Sequence, residues 1–215
     1  MVVNLSLQHS IFNSFIAEIR DENVQKDSMR FRYNMERIAE ILGYELSKKM
    51  NTKTIEVQTP LGISEEHVLA EAPVLATILR AGLAMHNGLL RMFDNSDSAF
   101  ISAFRKHTTP EEFEIYVEYL AAPLLDGRVW IISDPMLATG SSMVTVYKAL
   151  LKSGKPSKVY IVSAIATPDA IDLIKRTLPE NTEIWVGAID AELTAQSYIV
   201  PGLGDAGDLA FGIKV

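Results

Sequence analysis

Cysteine is missing altogether from the 215 residues. Its absence removes disulfides, thiolate metal sites and cysteine nucleophiles together, and fits a reducing compartment. Long apolar runs are missing too. The longest, such as Val129–Ile132, have the length of a buried strand, far below the roughly 18–20 residues that span a bilayer. Met1-Val2-Val3-Asn4-Leu5-Ser6 lacks the basic start and apolar stretch of a secretory signal. Positive charge is scarce: 20 Lys and Arg stand against 27 Asp and Glu, with no dense basic run, so a sequence-independent nucleic-acid surface has nothing to rest on. Neither a Gly-Lys-Ser/Thr phosphate loop nor a Gly-x-Ser-x-Gly elbow occurs, which leaves a kinase of the first type and a hydrolase of the second unsupported. His9, His67, His86 and His107 are scattered without metal-ligand spacing. The expectation is a soluble, cytoplasmic protein that binds neither nucleic acid nor membrane.

What is present is ordinary for a folded chain: 48% hydrophobic and 22% charged residues. The length suits one core, and no repeat or linker interrupts it, so residues 1–215 are read as one domain. Residues 161–215 hold three basic and eight acidic side chains and account for most of the net −7. A polyanionic ligand must therefore be met locally, by a few arginines, backbone N–H groups and a metal.

Periodicity predicts an amphipathic helix over 28–50, with Phe31, Met35, Ile38 and Leu42 on one stripe and Asp27 as N-cap. Thr52–Gln58 reads as a short strand ending at the turn Thr59-Pro60-Leu61-Gly62. From residue 73 the pattern is strand, loop, helix, repeated. Pro73–Leu79 is a strand, Arg80-Ala81-Gly82 a turn and Leu83–Phe93 a helix. Ala99–Phe104 and Phe113–Leu120 read as a hairpin, the second strand placing Phe113, Ile115, Val117 and Tyr119 on one face. Val129–Ser133, Lys158–Ala166 and Glu183–Ile189 are further strands, with helices over about Ser142–Lys152 and after Thr167-Pro168-Asp169. Apolar strands alternating with helices make a largely parallel sheet covered on both faces, with ligands in the loops at the carboxyl ends of its strands.

The strongest local signal is Asp134-Pro135-Met136-Leu137-Ala138-Thr139-Gly140-Ser141-Ser142, directly after a buried strand and before a helix. A helix N-terminus offers free N–H groups and the positive end of its dipole, and small residues let a phosphate reach them. Asp134 is placed to accept from sugar hydroxyls or to hold a metal-bound water. The segment resembles the loop for phosphoribosyl pyrophosphate (PRPP) in uracil phosphoribosyltransferases, and the Asp-Pro pair sets that family apart from relatives acting on other bases. The family usually continues Gly-Gly-Ser, where this chain has Ser141 at the second glycine. A positive φ there would strain a serine and weaken phosphate binding.

A second signal runs from Tyr198 to Asp208, Tyr-Ile-Val-Pro-Gly-Leu-Gly-Asp-Ala-Gly-Asp. Its Gly-x-Gly-x-x-Gly is not a dinucleotide fingerprint, because only eight residues follow Gly207. It is similar, nearly residue for residue, to the family's uracil loop. The resemblance implies that Ile199, Gly204, Asp205 and Ala206 bind uracil, with Asp205 also reaching the PRPP side. Beyond Asp208 the chain departs from the family's pattern, and no contact is carried over. Arg80 and Arg105 each end a strand and match positions where the family binds the pyrophosphate of PRPP, a task suited to a permanently charged planar fork.

Matches around Arg20-Asp21, Phe31-Arg32, Arg37-Ile38, Tyr44-Glu45 and residues 59–62 extend the resemblance over nearly the whole chain. It implies an α/β fold of the type I phosphoribosyltransferase kind, a largely parallel central sheet flanked by helices, with a β-hairpin arm and a small hood from N- and C-terminal segments. The hairpin at 99–120 is the candidate arm. The activity implied is transfer of phosphoribose from PRPP to uracil, with Arg80, Arg105 and Asp205 catalytic. PRPP would be bound by Arg80, Arg105, Asp134, Pro135, Met136, Leu137, Ala138, Thr139, Gly140, Ser141, Ser142 and Asp205. Mg²⁺ would be carried on PRPP, with Asp134 touching it through water, in a homodimer or homotetramer for which GTP is an effector in some members. The alternatives are a phosphoribosyltransferase for another base and a non-enzymatic nucleotide- and RNA-binding regulator on the same fold.

Overall fold

The computed structural model describes residues 1–107 and 113–214, with residues 104–107 and 113–115 described by backbone only. In chain order its elements are β1 (Val2–Asn4), α1 (Ile11–Arg20), α2 (Ser28–Ser47), β2 (Thr52–Thr59), β3 (Gly62–Leu69), β4 (Val74–Leu79), α3 (Leu83–Met92), β5 (Asp97–His107), β6 (Phe113–Ala121), β7 (Val129–Ser133), β8 (Met136–Leu137), α4 (Ser141–Leu150), β9 (Lys158–Ala166), α5 (Pro168–Thr177), β10 (Glu183–Ile189), β11 (Glu192–Leu193), β12 (Ile199–Val200) and α6 (Ala206–Phe211). The central sheet runs in the order β1-β10-β9-β7-β4-β5-β6, with β8 also pairing β9. Every pairing is parallel except β5 with β6.

The strands of the sheet's middle are buried on both faces, and their alternation sorts two cores. Leu75, Ile131, Tyr160, Val162 and Trp185 point to the side packed by α1, α2 and α3. Ala76, Trp130, Ile132, Ile161 and Val186 point to the side packed by α4 and α5. The continuous apolar strands follow from this double cover. On α2 the stripe Phe31, Met35, Ile38 and Leu42 is fully buried, and Asp27 caps the helix by accepting from the N–H groups of Met29 and Arg30. Thr167 caps α5, with Pro168 at its first turn. Among the described residues no helix is long and apolar enough to cross a membrane.

α1 is tied to α2 through Glu18, which accepts two bonds from Arg30 and one from Asn34. Those donors, Arg30 first, pull its carboxyl down to about 2. Helices α2 and α3 approach closely because each gives up a side chain at the crossing. A Cβ on Gly88 would overlap the carbonyl oxygen of Glu36 and lie 2.9 Å from its Cα. Backbone cannot yield as a side chain does, so Gly88→Ala is expected to lower stability by roughly 1–3 kcal/mol, read as a drop in the melting midpoint.

Three features depart from the sequence expectation. The hairpin at 99–120 is present as β5–β6, but it forms the edge of the central sheet rather than an arm. The separate hairpin is β2–β3, almost wholly exposed, whose second strand the sequence pattern left unassigned. The single face proposed for β6 also breaks: the register shifts between Ser102 and Ala103, which pair with Tyr119 and Val117 and leave Glu118 as an extra residue. Val117 and Leu120 pack on the core while Tyr119 is exposed, as a bulge requires.

Candidate active site

A cavity of about 1030 Å³ opens at the carboxyl ends of the parallel strands. One wall is the end of β4 and the turn after it, from Ile78 to Ala81. A second is the run after β7, with Asp134, Met136 to Gly140, Ser142 and Met143. A third is the C-terminal stretch, with Ile199, Asp205, Gly207 and Lys214. Thr139 and Asp205 face the same space although 66 positions separate them in sequence.

The β7–α4 run is shaped for an anion. Gly140 is the N-cap of α4 at φ +79°, and it brings no side chain to its helix's free N–H groups, unlike Asp27 on α2 or Thr167 on α5. Thr139 Oγ1 accepts from the Ser141 N–H at 3.3 Å, and the following first-turn donors and the helix dipole are left for a ligand. A Cβ at Gly140 would sit 3.0 Å from Ala170 O, so both the left-handed φ and the packing on α5 demand glycine. Thr167 fastens the run from below, donating its hydroxyl to Ala138 O at 2.6 Å. Ser141 is the first residue of α4, and Ser197 is the only non-glycine with positive φ among the described residues. The serine in place of the family's second glycine is therefore unstrained. Its hydroxyl accepts from Thr139 at 3.2 Å, and it lies outside the cavity lining. Ser141→Gly is expected to leave the PRPP KM within about twofold and to lower stability by no more than about 1 kcal/mol, checked by initial rates and a thermal melt.

Asp134 stands at the end of β7. Burial pushes its carboxyl up to about 7, only partly offset by a hydrogen bond from the Met136 N–H. Arg80, after β4, donates from Nη2 to Asp208 Oδ1 and to Gly212 O, both at 2.8 Å, so the first and third walls are joined. Its Nε is enclosed without a partner. Asp205 caps α6, accepting from the Asp208 N–H at 3.0 Å. Gly204, at φ +89°, has open space where a side chain would be.

Of the residues the sequence singled out, Arg80, Asp134, Met136, Leu137, Ala138, Thr139, Gly140, Ser142, Ile199 and Asp205 line the one cavity. Pro135, Ser141, Gly204 and Ala206 are not part of that lining: Pro135 and Ala206 are buried, Ser141 is half-buried and Gly204 is exposed. Arg105 stands on β5 opposite Ile115, and its side chain lies outside the described residues. Sequence reasoning missed Ala195 to Ser197, in the turn joining β11 to β12, and Lys214. Ser and Gln in a short polar turn carry no motif. Lys214 stands beyond the point where the family pattern ends.

A parallel sheet whose switch-point loops gather around one such cavity is the architecture of the type I phosphoribosyltransferases. A hypoxanthine phosphoribosyltransferase from Staphylococcus aureus shares the fold, with a TM-score of 0.51 at 16% identity over 75% of this chain and 76% of that one. The chain belongs to the uracil phosphoribosyltransferase family, whose model matches residues 6–213. It is 51% identical to the uracil phosphoribosyltransferase of Porphyromonas gingivalis over 214 residues, covering 100% of this chain and 99% of the relative. The enzyme of the same name from Thermococcus gammatolerans is 39% identical, over 92% of this chain and 87% of that one. A solved protein of Aquifex aeolicus superposes at a TM-score of 0.87, with 32% identity and full coverage of both chains.

Proposed function

We propose that the chain transfers the 5-phosphoribosyl group of PRPP to uracil in the cytoplasm, forming UMP and pyrophosphate. The observation that carries this reading is the shared cavity, in which the Gly140-capped helix and the Ile199–Asp208 loop face one another. The first suits a sugar 5-phosphate. The second, with glycine backbone open to the cavity side, suits the edge of a flat base. Holding both substrates in line supplies much of the rate by positioning alone.

Breaking the C1–oxygen bond builds positive charge on the ribose and negative charge on the departing pyrophosphate. Arg80, with its unpartnered Nε, and Arg105 stabilise that leaving group, and the donors at the start of α4 hold the 5-phosphate. Pro135, Ser141 and Ala206 support the two loops, while Ile199, the exposed Gly204 and the backbone around Asp205 face the base. The second oxygen of Asp205 is free to accept the N1 proton of uracil, since Oδ1 is engaged by the Asp208 N–H. Asp134 and Asp205 are the carboxylates of the lining, and among the described residues no group of three or more His, Asp or Glu side chains could cage a metal. That set fits Mg²⁺ held mainly by substrate oxygens and water, the habit of this small, reluctantly dehydrated ion. Asp134 would be the protein's share, and the ion would neutralise the diphosphate.

The β2–β3 hairpin exposes Ile55, Val57, Leu61 and Ile63, and exposed apolar side chains gathered on one element mark an interface. In this reading it is the arm of a homodimer or homotetramer. The deciding experiment supplies PRPP and Mg²⁺ with uracil, orotate, hypoxanthine or adenine in turn, with and without GTP, and follows nucleotide formation. UMP from uracil alone is the expected result. Turnover of another base, or UMP binding without turnover, would overturn it.

A further inference from the structure

We infer that Arg20 and Asp190 act as a positioning pair that fixes the loop facing the base, and so sets the affinity for uracil from outside the cavity. Arg20 is the last residue of α1, and Asp190 directly follows β10. Their side chains meet in two bonds, Nη1 to Oδ2 at 2.7 Å and Nη2 to Oδ1 at 2.8 Å. The same two groups then take hold of both backbone polar groups of one residue. Arg20 Nη1 donates to Gly202 O at 3.0 Å, and the Gly202 N–H donates to Asp190 Oδ2 at 3.0 Å. Neither side chain lines the cavity.

Gly202 sits at the bend of the loop, at φ +56°, folded so tightly that a Cβ would overlap the carbonyl oxygen of Ile199. Ile199 lines the cavity, and so does Asp205 three residues beyond the bend. Between β12 and Asp205, the hydrogen bonds that tie the loop to the rest of the molecule run to Gly202 alone among the described residues. Leu203 is buried in the core beside the bend, and the polar hold on the backbone between the two base-facing positions is concentrated at Gly202. A planar fork bound twice to a carboxylate is stiff, because two parallel bonds fix orientation as well as distance. With the Asp190 side chain 7% exposed and that of Arg20 21%, the pair is shielded from the water that makes surface ion pairs weak. Losing one member would leave the other charge half-buried and uncompensated.

This inference rests on the proposed reaction, and the test separates the two. Arg20→Lys keeps the charge but loses the fork, and Asp190→Asn keeps the shape but loses the charge. With uracil and PRPP varied separately, both variants are expected to raise the uracil KM by about 10- to 100-fold, the worth of a charge-assisted hydrogen bond. The PRPP KM should stay within about twofold, and Arg20→Met should be worse than Arg20→Lys. Unchanged uracil KM in Arg20→Lys and Asp190→Asn, or equal rises for both substrates, would overturn the pairing's role. Amide hydrogen exchange at Gly202–Gly204 gives an answer that does not depend on turnover. Faster exchange there in Arg20→Lys, with core strands unaffected, supports the pair, and unchanged protection refutes it. Failure of the unaltered enzyme to make UMP would instead sink the reaction.

Discussion

Arg80→Ala is expected to lower the rate of UMP formation at saturating substrates by about 10²- to 10³-fold, the loss seen when one donor aimed at developing charge is deleted. The guanidinium stands where β4 meets the cavity, with Nη2 held by Asp208 and Gly212 O and Nε enclosed and unpartnered. It is thus oriented before substrate arrives. In the proposed reaction pyrophosphate gains charge as it leaves, so a contact from Arg80 would strengthen in the transition state and its loss would fall on kcat more than on KM. Asp208→Asn serves as the control. It weakens the anchoring of Arg80 but leaves the cation in place, so its loss should stay within about tenfold. Initial rates for the two variants decide the matter, and an Arg80→Ala enzyme within tenfold of the unaltered one removes Arg80 from the chemistry.

Asp134→Asn should move activity and stability in opposite directions. Burial holds the Asp134 carboxyl up at about 7, so in the ligand-free protein it is largely protonated at pH 6 and largely ionised at pH 8. If it accepts from ribose hydroxyls or a metal-bound water, the PRPP KM of the unaltered enzyme rises as pH falls from 8 to 6. The asparagine variant should have a flat profile, with a PRPP KM at pH 8 raised on the order of tenfold to a hundredfold. Stability has the other sign. A folded-state value above the unfolded 3.8 means that the folded protein keeps a proton the unfolded chain has released. Stability is therefore greatest below about pH 4 and falls as pH rises through 7. At pH 8 without ligand, Asp134→Asn should melt higher, by on the order of 1 kcal/mol or more, and the gap should close near pH 4. A carboxylate that harms its own fold yet helps the reaction is the signature of a functional group, and a variant both weaker and less stable at pH 8 would refute the assignment.

Much of the site was readable because its chemistry is local. Asp134 to Ser142 is one continuous run, and a strand, a glycine and a helix start without a side-chain cap from its N-cap residue form a pattern suited to an anion. The strands β7, β9 and β10 were equally legible, since burial on both faces leaves an apolar run with sharp ends. What stayed hidden depends on distant partners. Nothing near Arg20 in sequence points to Asp190 or Gly202, because an ion pair formed across 170 positions leaves no spacing to read. The β3 strand, Gly-Ile-Ser-Glu-Glu-His-Val-Leu, is solvent-exposed on both faces and so carries no alternation. The bulge at Glu118 escaped because one inserted residue shifts the inward positions without changing composition. Ser141 misled in the opposite sense: the motif suggested strain, but the left-handed turn falls entirely on Gly140.

The outer edge of the sheet has a bearing on how the enzyme is made. Strand β1 pairs with β10 alone, Val2 opposite Ile184, so its residues wait for a partner made much later in synthesis. Pairings so distant form late, since the intervening loop must be closed first. Until β10 emerges, β1 is an unprotected edge of the sort that invites association with other chains. Synthesis stalled before residue 183 should therefore yield aggregation-prone fragments.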